Sequence, residues 1–408
     1  MKIEYTSNGS LQEIEFDENN PKEIIEKTAT IRQSLLSKYL ASDNLNFLIS
    51  NGCSICADSR AINESGEDAD YKTILNEFSF LIGDYPELQE KINSFSSERP
   101  EVALDKLFEI KAIIEKIYED GDSLAEILGL IEKVKEAFLK EYVLTIDYSK
   151  NDTHKLFLKK ITSRDSKLDK PNFFTLNYDL LLEKSAEQLG LYVNNGFWGF
   201  YDRFFMPSTY QIDIHLQNSE GGKRIRNGIR LFKLHGSLSW NSDNSKPPYG
   251  IAEKQIILGD DNKIEYDSVA SDLIIYPIQS KKKHSLDLPY SEIFRQLVEK
   301  INNRNSVLIV IGYSFLDEHV NDIITNSLAN PDFNLLVFSY EKPDEAKSDF
   351  LKELYKSSQS DKRISVLHGS KFGDFEFITK YLMPYSDDKD PKDTFYKTFL
   401  ELQKLTAK

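Results

Sequence analysis

The sequence predicts an α/β protein built on a doubly wound, mostly parallel sheet with a helical insertion. Short apolar runs alternate with helical segments along the chain, and one of them, Val307–Ile311, is wholly apolar. Glycines or small polar residues directly follow several of these runs. Unbroken apolar runs are typical of parallel strands buried on both faces, and small residues after a strand let a ligand approach the backbone. The two features together predict a Rossmann-like fold.

The predicted elements follow one another in a βαβ rhythm. Residues 1–21 are polar and predict either a flexible arm or an edge hairpin, and residues 22–40 carry apolar side chains at helical spacing. The pattern predicts strands over residues 46–50, 172–176, 231–234, 273–278, 307–311, 335–338 and 364–367. It predicts helices over residues 180–189, 290–301, 320–328 and 393–405.

Residues 70–143 predict the helical insertion. Apolar residues recur at steps of three and four over residues 107–117 and again over 124–138, which is typical of amphipathic helices. Ser123 and Glu126 have the spacing of a capping box at the start of the second helix. We expect the apolar stripe to form core. The chain, 1–408, is thus predicted to be a single domain with this insertion and a C-terminal helix within 391–408.

Composition excludes several classes of protein. The 408 residues include 51 Lys+Arg and 66 Asp+Glu, which gives a net charge of −15 and argues against direct nucleic-acid binding. The hydrophobic content of 40% is enough for a folded core. The apolar runs are far too short to span a membrane, and the first residues lack the apolar stretch of a signal peptide. We therefore expect a cytoplasmic protein without a membrane segment.

The two cysteines, Cys53 and Cys56, allow three interpretations. They are half of a zinc-binding spacing, but the chain has no second cysteine pair, and the nearest histidine is His154. They also have the spacing of a redox motif. The third interpretation is two small packing residues near a turn.

Four short segments follow predicted strands, where open α/β sheets bind their ligands. They are Ser50–Ser54, Thr175–Asp179, Lys233–Trp240 and Gly312–Asp317. Each allows a structural alternative: a tight turn for the first, a helix cap for the second, a structural histidine for the third, and a capped turn for the fourth.

In this order, the four segments resemble those of the sirtuin-like NAD-binding domain over roughly residues 45–370. The most specific pieces are residues 231–240 (LFKLHGSLSW) and 311–317 (IGYSFLD), supported by residues 175–179 (TLNYD). They resemble the bacterial group found in antiphage defence systems more than the protein deacylases. The first loop reads Ser-Asn-Gly at residues 50–52 where the family has Gly-Ala-Gly, and the four-cysteine zinc module of the deacylases is absent.

The resemblance implies cleavage of NAD⁺ as substrate, without a metal. Asn177 would position the attacking water or hold the ribose, and His235 would accept a proton. Asp179 would orient the site or stabilise the positive charge that develops on the ribose. The remaining site residues would bind NAD⁺: Gly52 and Ser54 at the pyrophosphate, and Gly312, Ser314 and Asp317 at the adenosine side.

The function implied first is therefore an NAD⁺ glycohydrolase that depletes NAD⁺ as the effector of an antiphage, abortive-infection system. One alternative is an NAD-dependent deacylase or ADP-ribosyl transferase. Others are a sensor of NAD⁺ or ADP-ribose and an assembly subunit, both without turnover. A toxic NADase has to be restrained, so we expect a homo-oligomer or control by a partner. Related defence systems use a HerA-type hexameric ATPase or a short Argonaute as that partner.

Overall fold

A computed structural model describes residues 2–60, 69–81, 85–98, 100–165, 167–216, 223–224, 228–246, 248–269, 273–274 and 289–385. Two of the predicted elements fall wholly or partly elsewhere. Residues 275–278 of one predicted strand and the predicted C-terminal helix at 391–408 lie outside the described residues.

The described strands and helices alternate along most of the chain. The strands are β1 (Lys2–Ser7), β2 (Ser10–Glu15), β3 (Asn44–Ile49), β4 (Asn172–Thr175), β5 (Tyr192–Asn194), β6 (Phe197–Trp198), β7 (Phe204–Phe205), β8 (His215–Leu216), β9 (Lys223–Arg224), β10 (Gly228–Lys233), β11 (Trp240–Ser242), β12 (Ile251–Glu253), β13 (Ser306–Ile311), β14 (Phe333–Ser339) and β15 (Ile364–His368). The α-helices are α1 (Pro21–Lys27), α2 (Ser37–Leu40), α3 (Asp70–Glu77), α4 (Pro86–Ser94), α5 (Pro100–Ile113), α6 (Gly121–Phe138), α7 (Asp152–Thr162), α8 (Leu181–Gln188), α9 (Tyr290–Ile301), α10 (Glu318–Ser327), α11 (Asp349–Ser358) and α12 (Phe375–Phe377).

The main sheet has nine strands in the order β2-β1-β15-β14-β13-β3-β4-β10-β5. From β15 to β5 every neighbouring pair is parallel, whereas β1 is antiparallel to both β2 and β15. This arrangement confirms the predicted doubly wound, mostly parallel sheet. The N-terminal residues form the edge hairpin rather than a flexible arm.

The strand order reverses direction between β3 and β13. After β3 the chain adds β4, β5 and β10 on one side of it, and then returns to place β13, β14 and β15 on the other side. At such a switch point the connections that follow two adjacent parallel strands leave to opposite sides, which creates a crevice for a ligand. The segments after β3 and β13 are therefore the ones that fold topology places at that crevice.

The sheet is covered on both faces. Along β13, Val307, Ile309 and Ile311 pack into one hydrophobic cluster, and Leu308 and Val310 pack into another. Alternate side chains of a strand point to opposite faces, so an unbroken apolar run supplies both layers of the core.

The insertion has its own hydrophobic cluster. Buried residues of α3, α5 and α6, including Tyr71, Leu107 and Ile127, pack together and against Leu181 and Leu238 of the main domain. In one detail the prediction was wrong. Helix α6 begins at Gly121, because the Asp120 side chain caps it by accepting from the N–H groups of Asp122 and Ser123. The predicted cap, Ser123, therefore lies inside the first turn.

A second, smaller sheet was not predicted. It contains β11, β12, β7 and β6, in that order. Strands of two or three residues are too short to show a period in the sequence.

Among the described residues, no helix combines the length and the apolar character needed to cross a membrane.

Candidate active site

The turns after β3 and β13 touch at the switch point. The Gly52 N–H donates to the Gly312 carbonyl at 3.1 Å. A Cβ on Gly52 would lie 2.6 Å from Gly312 Cα, and one on Gly312 would lie 2.7 Å from Cys53 N. Gly312 also has φ +72°, which favours glycine. Both positions therefore require glycine for the backbones to approach this closely.

The second loop is tied to the first by a chain of side-chain hydrogen bonds. Asn177 Nδ2 donates to Ser54 Oγ at 2.9 Å, and Ser54 Oγ donates to Asp179 Oδ2 at 2.8 Å. Ser54 and Asp179 are buried, whereas Asn177 is half-buried. Sequence reasoning placed Ser54 at a pyrophosphate. In the structure its hydroxyl joins the two residues that were expected to act in catalysis.

Local backbone contacts fix the same loop. The N–H of Asn177 donates to Thr175 Oγ1 at 3.0 Å, and that of Leu181 donates to Asp179 Oδ1 at 3.0 Å. The Leu180 N–H donates to the hydroxyl of Tyr148, at 3.0 Å. Asp179 thus binds the first N–H of α8 with one oxygen and Ser54 with the other. It is not the N-cap that one alternative predicted, because Leu180 occupies that position without a side-chain cap.

His235 follows β10 and pairs with a carboxylate from a different loop. Its Nε2 lies 3.1 Å from Asp317 Oδ2, and both side chains are about 95% buried. The other oxygen, Asp317 Oδ1, accepts from the Val320 N–H and so caps α10. Sequence reasoning placed Asp317 at the adenosine side of a nucleotide and did not predict its contact with the histidine.

The turn that carries Asp317 is held in an unusual conformation. Phe315 is not glycine and yet has φ +58°. Its carbonyl accepts from Asn321 Nδ2 at 2.9 Å and from Ser348 Oγ at 2.8 Å. The Tyr313 hydroxyl donates to the Asp317 carbonyl at 3.0 Å. These supporting residues were missed, since nothing in their spacing indicates contact with this turn.

Strand register brings the two catalytic candidates to the same level of the sheet. Lys233 on β10 pairs with Thr175 on the neighbouring β4. His235 and Asn177 each lie two residues beyond this pair, at the carboxyl edge. Ser314, in contrast, is exposed on the turn after β13.

The cysteines make backbone contacts. Cys53 is fully buried and its thiol donates to the Ile311 carbonyl, while the Cys56 thiol donates to the Cys53 carbonyl. Burial raises the pKa of both thiols, that of Cys56 to about 12. Metal ligation and redox exchange both require the thiolate, so these contacts favour the packing interpretation. Across the described ranges, no group of three or more His, Cys, Asp or Glu residues is placed to hold a metal ion.

Comparison with known protein families gives a match over part of the chain. Residues 171–359 match the family model described as the SIR2-like domain, whose members bind NAD⁺ and act as NAD-dependent enzymes. The matched range contains Asn177, Asp179 and His235, but not the loop with Gly52 and Ser54. No curated protein matches the chain. The match covers a little under half of the chain and supports a sirtuin-like, NAD-binding domain over the matched residues.

Proposed function

We propose that this protein is an NAD⁺ glycohydrolase that hydrolyses the nicotinamide–ribose bond to nicotinamide and ADP-ribose. One observation carries the proposal. The half-buried Asn177 amide is fixed by Ser54 and Asp179 at the same level of the sheet as His235, which is itself held by Asp317. A site that only binds a dinucleotide has no need of a fixed amide and an oriented imidazole at the ends of two neighbouring strands.

The chemistry suits these groups. When the bond between the nicotinamide nitrogen and ribose C1′ breaks, the electron pair leaves with nicotinamide and positive charge develops on the ribose. Water then adds to C1′ and releases one proton. Nicotinamide leaves as a neutral molecule, so no strong general acid is needed.

Asn177 would orient the water or a ribose hydroxyl. Because its Nδ2 donates to Ser54, the amide oxygen Oδ1 is directed away from Ser54 and is available to accept a hydrogen bond from the substrate or water. An amide held in one orientation before the substrate arrives does not have to reorganise during the reaction.

His235 would take the proton, directly or from a ribose hydroxyl. A carboxylate bonded to one ring nitrogen fixes the ring and stabilises the imidazolium that forms when the other nitrogen is protonated. Asp317 occupies that position. The carboxylate of Asp179, buried at the end of the Asn177–Ser54 chain, would stabilise positive charge on the ribose.

In the cell, the enzyme would deplete NAD⁺ as the effector of an antiphage defence system. This part of the proposal rests on the resemblance of the motifs. We propose control through a homo-oligomer or a partner, and the resemblance of the motifs suggests a HerA-type ATPase or a short Argonaute as that partner. Apolar side chains exposed on the insertion offer a contact surface, and they do not select among these occupants. Leu81 is 89% exposed and Ile117 is 71% exposed.

The test measures nicotinamide release and NAD⁺ binding side by side. We expect His235→Ala and Asn177→Ala to lose about 10²–10⁴-fold in turnover while NAD⁺ still binds, because both groups act mainly in the transition state. Asn334→Ala, at the amino edge of the sheet, is the matched control and should behave as wild type. Wild-type turnover in both site variants would exclude this mechanism. Binding of NAD⁺ by the wild type, in the presence of its partner and trigger, without any nicotinamide release would establish the sensor instead.

A further inference from the structure

A buried lysine lies behind the candidate site. We propose that Lys233 is a positioning residue whose ammonium group holds the backbone of Asn177–Asp179, and with it the Asn177 amide, in the reactive arrangement. The inference rests on the proposed function, in which Asn177 acts on the ribose or the water, and it adds a residue that does not touch either.

The contacts of Lys233 are directed at three successive carbonyl groups. Its Nζ donates to the carbonyls of Asn177 at 3.5 Å and Tyr178 at 3.4 Å, and most closely to that of Asp179. The side chain is 3% exposed. An ammonium has three N–H donors in a compact head. The three carbonyls and the carboxylate of Glu183 are four acceptors around Nζ, so the two longer carbonyl contacts share a donor.

The charge of Lys233 is balanced by one carboxylate. Nζ lies 3.0 Å from Oε1 of Glu183, in the first turn of α8. Burial raises the pKa of Glu183, and the lysine charge acts in the opposite direction. Within the part of the chain that the structure describes, Glu183 Oε2 is buried without a hydrogen-bond partner. The carboxylate is therefore ill suited to this position on its own and depends on the lysine.

Two roles for Lys233 are compatible with a buried ion pair, and they differ in what they require. If the lysine only neutralises Glu183, then removing both charges should restore a working protein, since a buried ion pair can often be replaced by neutral residues without loss of stability. If it positions the loop, then the double replacement should fold but remain slow, because the three carbonyls have lost their common donor.

The position of Lys233 in the chain favours the second role. It is the last residue of β10, two residues before His235. One strand end thus places the proposed base and, through the ammonium, the loop that carries the proposed amide. A displacement of about 1 Å in such an arrangement is enough to lower turnover by about 10²-fold.

The experiment compares wild type with Lys233→Met and with the double variant Lys233→Met/Glu183→Gln. Lys160→Met is the matched control. Lys160 is also buried and donates to three carbonyls, those of Thr379, Lys380 and Met383, which are not part of the site. Nicotinamide release, calorimetric binding of NAD⁺ and thermal unfolding are measured for each protein. Amide hydrogen exchange is followed at Asn177, Leu180 and Leu181, whose N–H groups donate to Thr175, Tyr148 and Asp179.

We expect the double variant to unfold cooperatively and to bind NAD⁺ with an affinity within about threefold of wild type, while kcat falls by about 10²-fold. Exchange at the three loop amides should accelerate by about tenfold or more, because local opening becomes easier. Lys160→Met should keep the wild-type kcat and loop exchange. If the double variant recovers the wild-type kcat and exchange, then Lys233 only balances Glu183 and the proposal is wrong.

The exchange measurement also separates this inference from the proposed function. If the wild type releases no nicotinamide, the glycohydrolase proposal fails. Slow loop exchange in the wild type and fast exchange in the double variant would still show that Lys233 holds the loop. Equal exchange in the two proteins would refute the positioning role whatever the reaction is.

Discussion

His235 Nε2 lies 3.1 Å from Asp317 Oδ2, and this contact joins the segment after β10 to the segment after β13. Both side chains are buried, so the ring cannot rotate freely and the carboxylate is shielded from solvent. Asp317 also caps α10 through its other oxygen. Asp317 therefore both orients His235 and caps α10, and a substitution that keeps the cap can separate the two roles.

We predict that Asp317→Asn lowers the turnover of NAD⁺ by about 10²–10⁴-fold, the contribution of a well-oriented general base. Asparagine is as good an N-cap as aspartate, so α10 should keep its start and the melting temperature should change little. Nicotinamide release and thermal unfolding are the two measurements. Asp120→Asn, which alters the cap of α6 in the insertion, is the control and should retain full turnover. Unchanged turnover in Asp317→Asn would show that the contact does not support catalysis.

Ser54 gives the second prediction, because its hydroxyl lies between Asn177 and Asp179. Ser54→Ala leaves a buried carboxylate oxygen and an amide N–H without their partner, which costs about 1–3 kcal/mol of the free energy of unfolding. We expect kcat to fall by at least about tenfold, while the affinity for NAD⁺ changes less. If Ser54 instead binds the pyrophosphate of NAD⁺, Ser54→Ala should show the reverse: a large loss of NAD⁺ affinity with kcat preserved. Steady-state kinetics and calorimetric binding distinguish the two.

The close contact of Gly52 with Gly312 gives the third prediction. In Gly52→Ala the new methyl group would lie 2.6 Å from Gly312 Cα, so one backbone has to move. We expect a loss of about 1–3 kcal/mol in the free energy of unfolding, as in other overpacked sites, and weaker NAD⁺ binding. Gly129→Ala is the control: it lies within α6 with open space around it, and should stabilise the protein by up to about 1 kcal/mol. Unimpaired NAD⁺ binding in Gly52→Ala would place the pyrophosphate elsewhere.

The strands of the main sheet could be predicted because burial on both faces leaves a plain signal. Residues 307–311 are apolar without interruption, and the structure has β13 over Ser306–Ile311. A residue directly after such a strand is at the edge of the sheet by necessity, which is why Asn177 and His235 could be assigned to one edge. Their level relative to each other follows from the β4–β10 register.

Side-chain pairing across the site could not be predicted in the same way. The pairing of His235 with Asp317 depends on the order of strands, in which β13 and β10 are separated by β3 and β4. Sequence spacing contains no information about that order. Lys233 opens the segment Lys233–Trp240, but a lysine by its residue type predicts a solvated side chain and no role in the site. Only the burial of its ammonium group against three carbonyls, seen in the structure, distinguishes Lys233 from a solvated lysine.

His154 lies in the first turn of α7 and is the subject of the last prediction. Its ring packs against Phe375 with centroids 5.1 Å apart, and it is 1% exposed. Nδ1 has no hydrogen-bond partner among the described residues. Burial lowers the pKa of His154 to about 4, and the charge of Asp179 acts in the opposite direction. The ordinary pKa of histidine is about 6.5.

Between pH 6.5 and about 4, the unfolded chain therefore binds a proton at His154 that the folded chain does not bind. The free energy of unfolding should fall as the pH decreases through this window, by up to about 3 kcal/mol from this residue, and the loss should be complete below it. We predict that His154→Leu lacks this pH-dependent loss in the free energy of unfolding. Denaturant unfolding at several pH values between 4 and 7 gives the free energy of unfolding of wild type and of His154→Leu, and the difference between them is the contribution of His154. Phe157→Leu, on the same helix, should shift stability equally at every pH. Parallel curves for wild type and His154→Leu would mean that His154 is protonated as readily in the folded protein as in the unfolded chain.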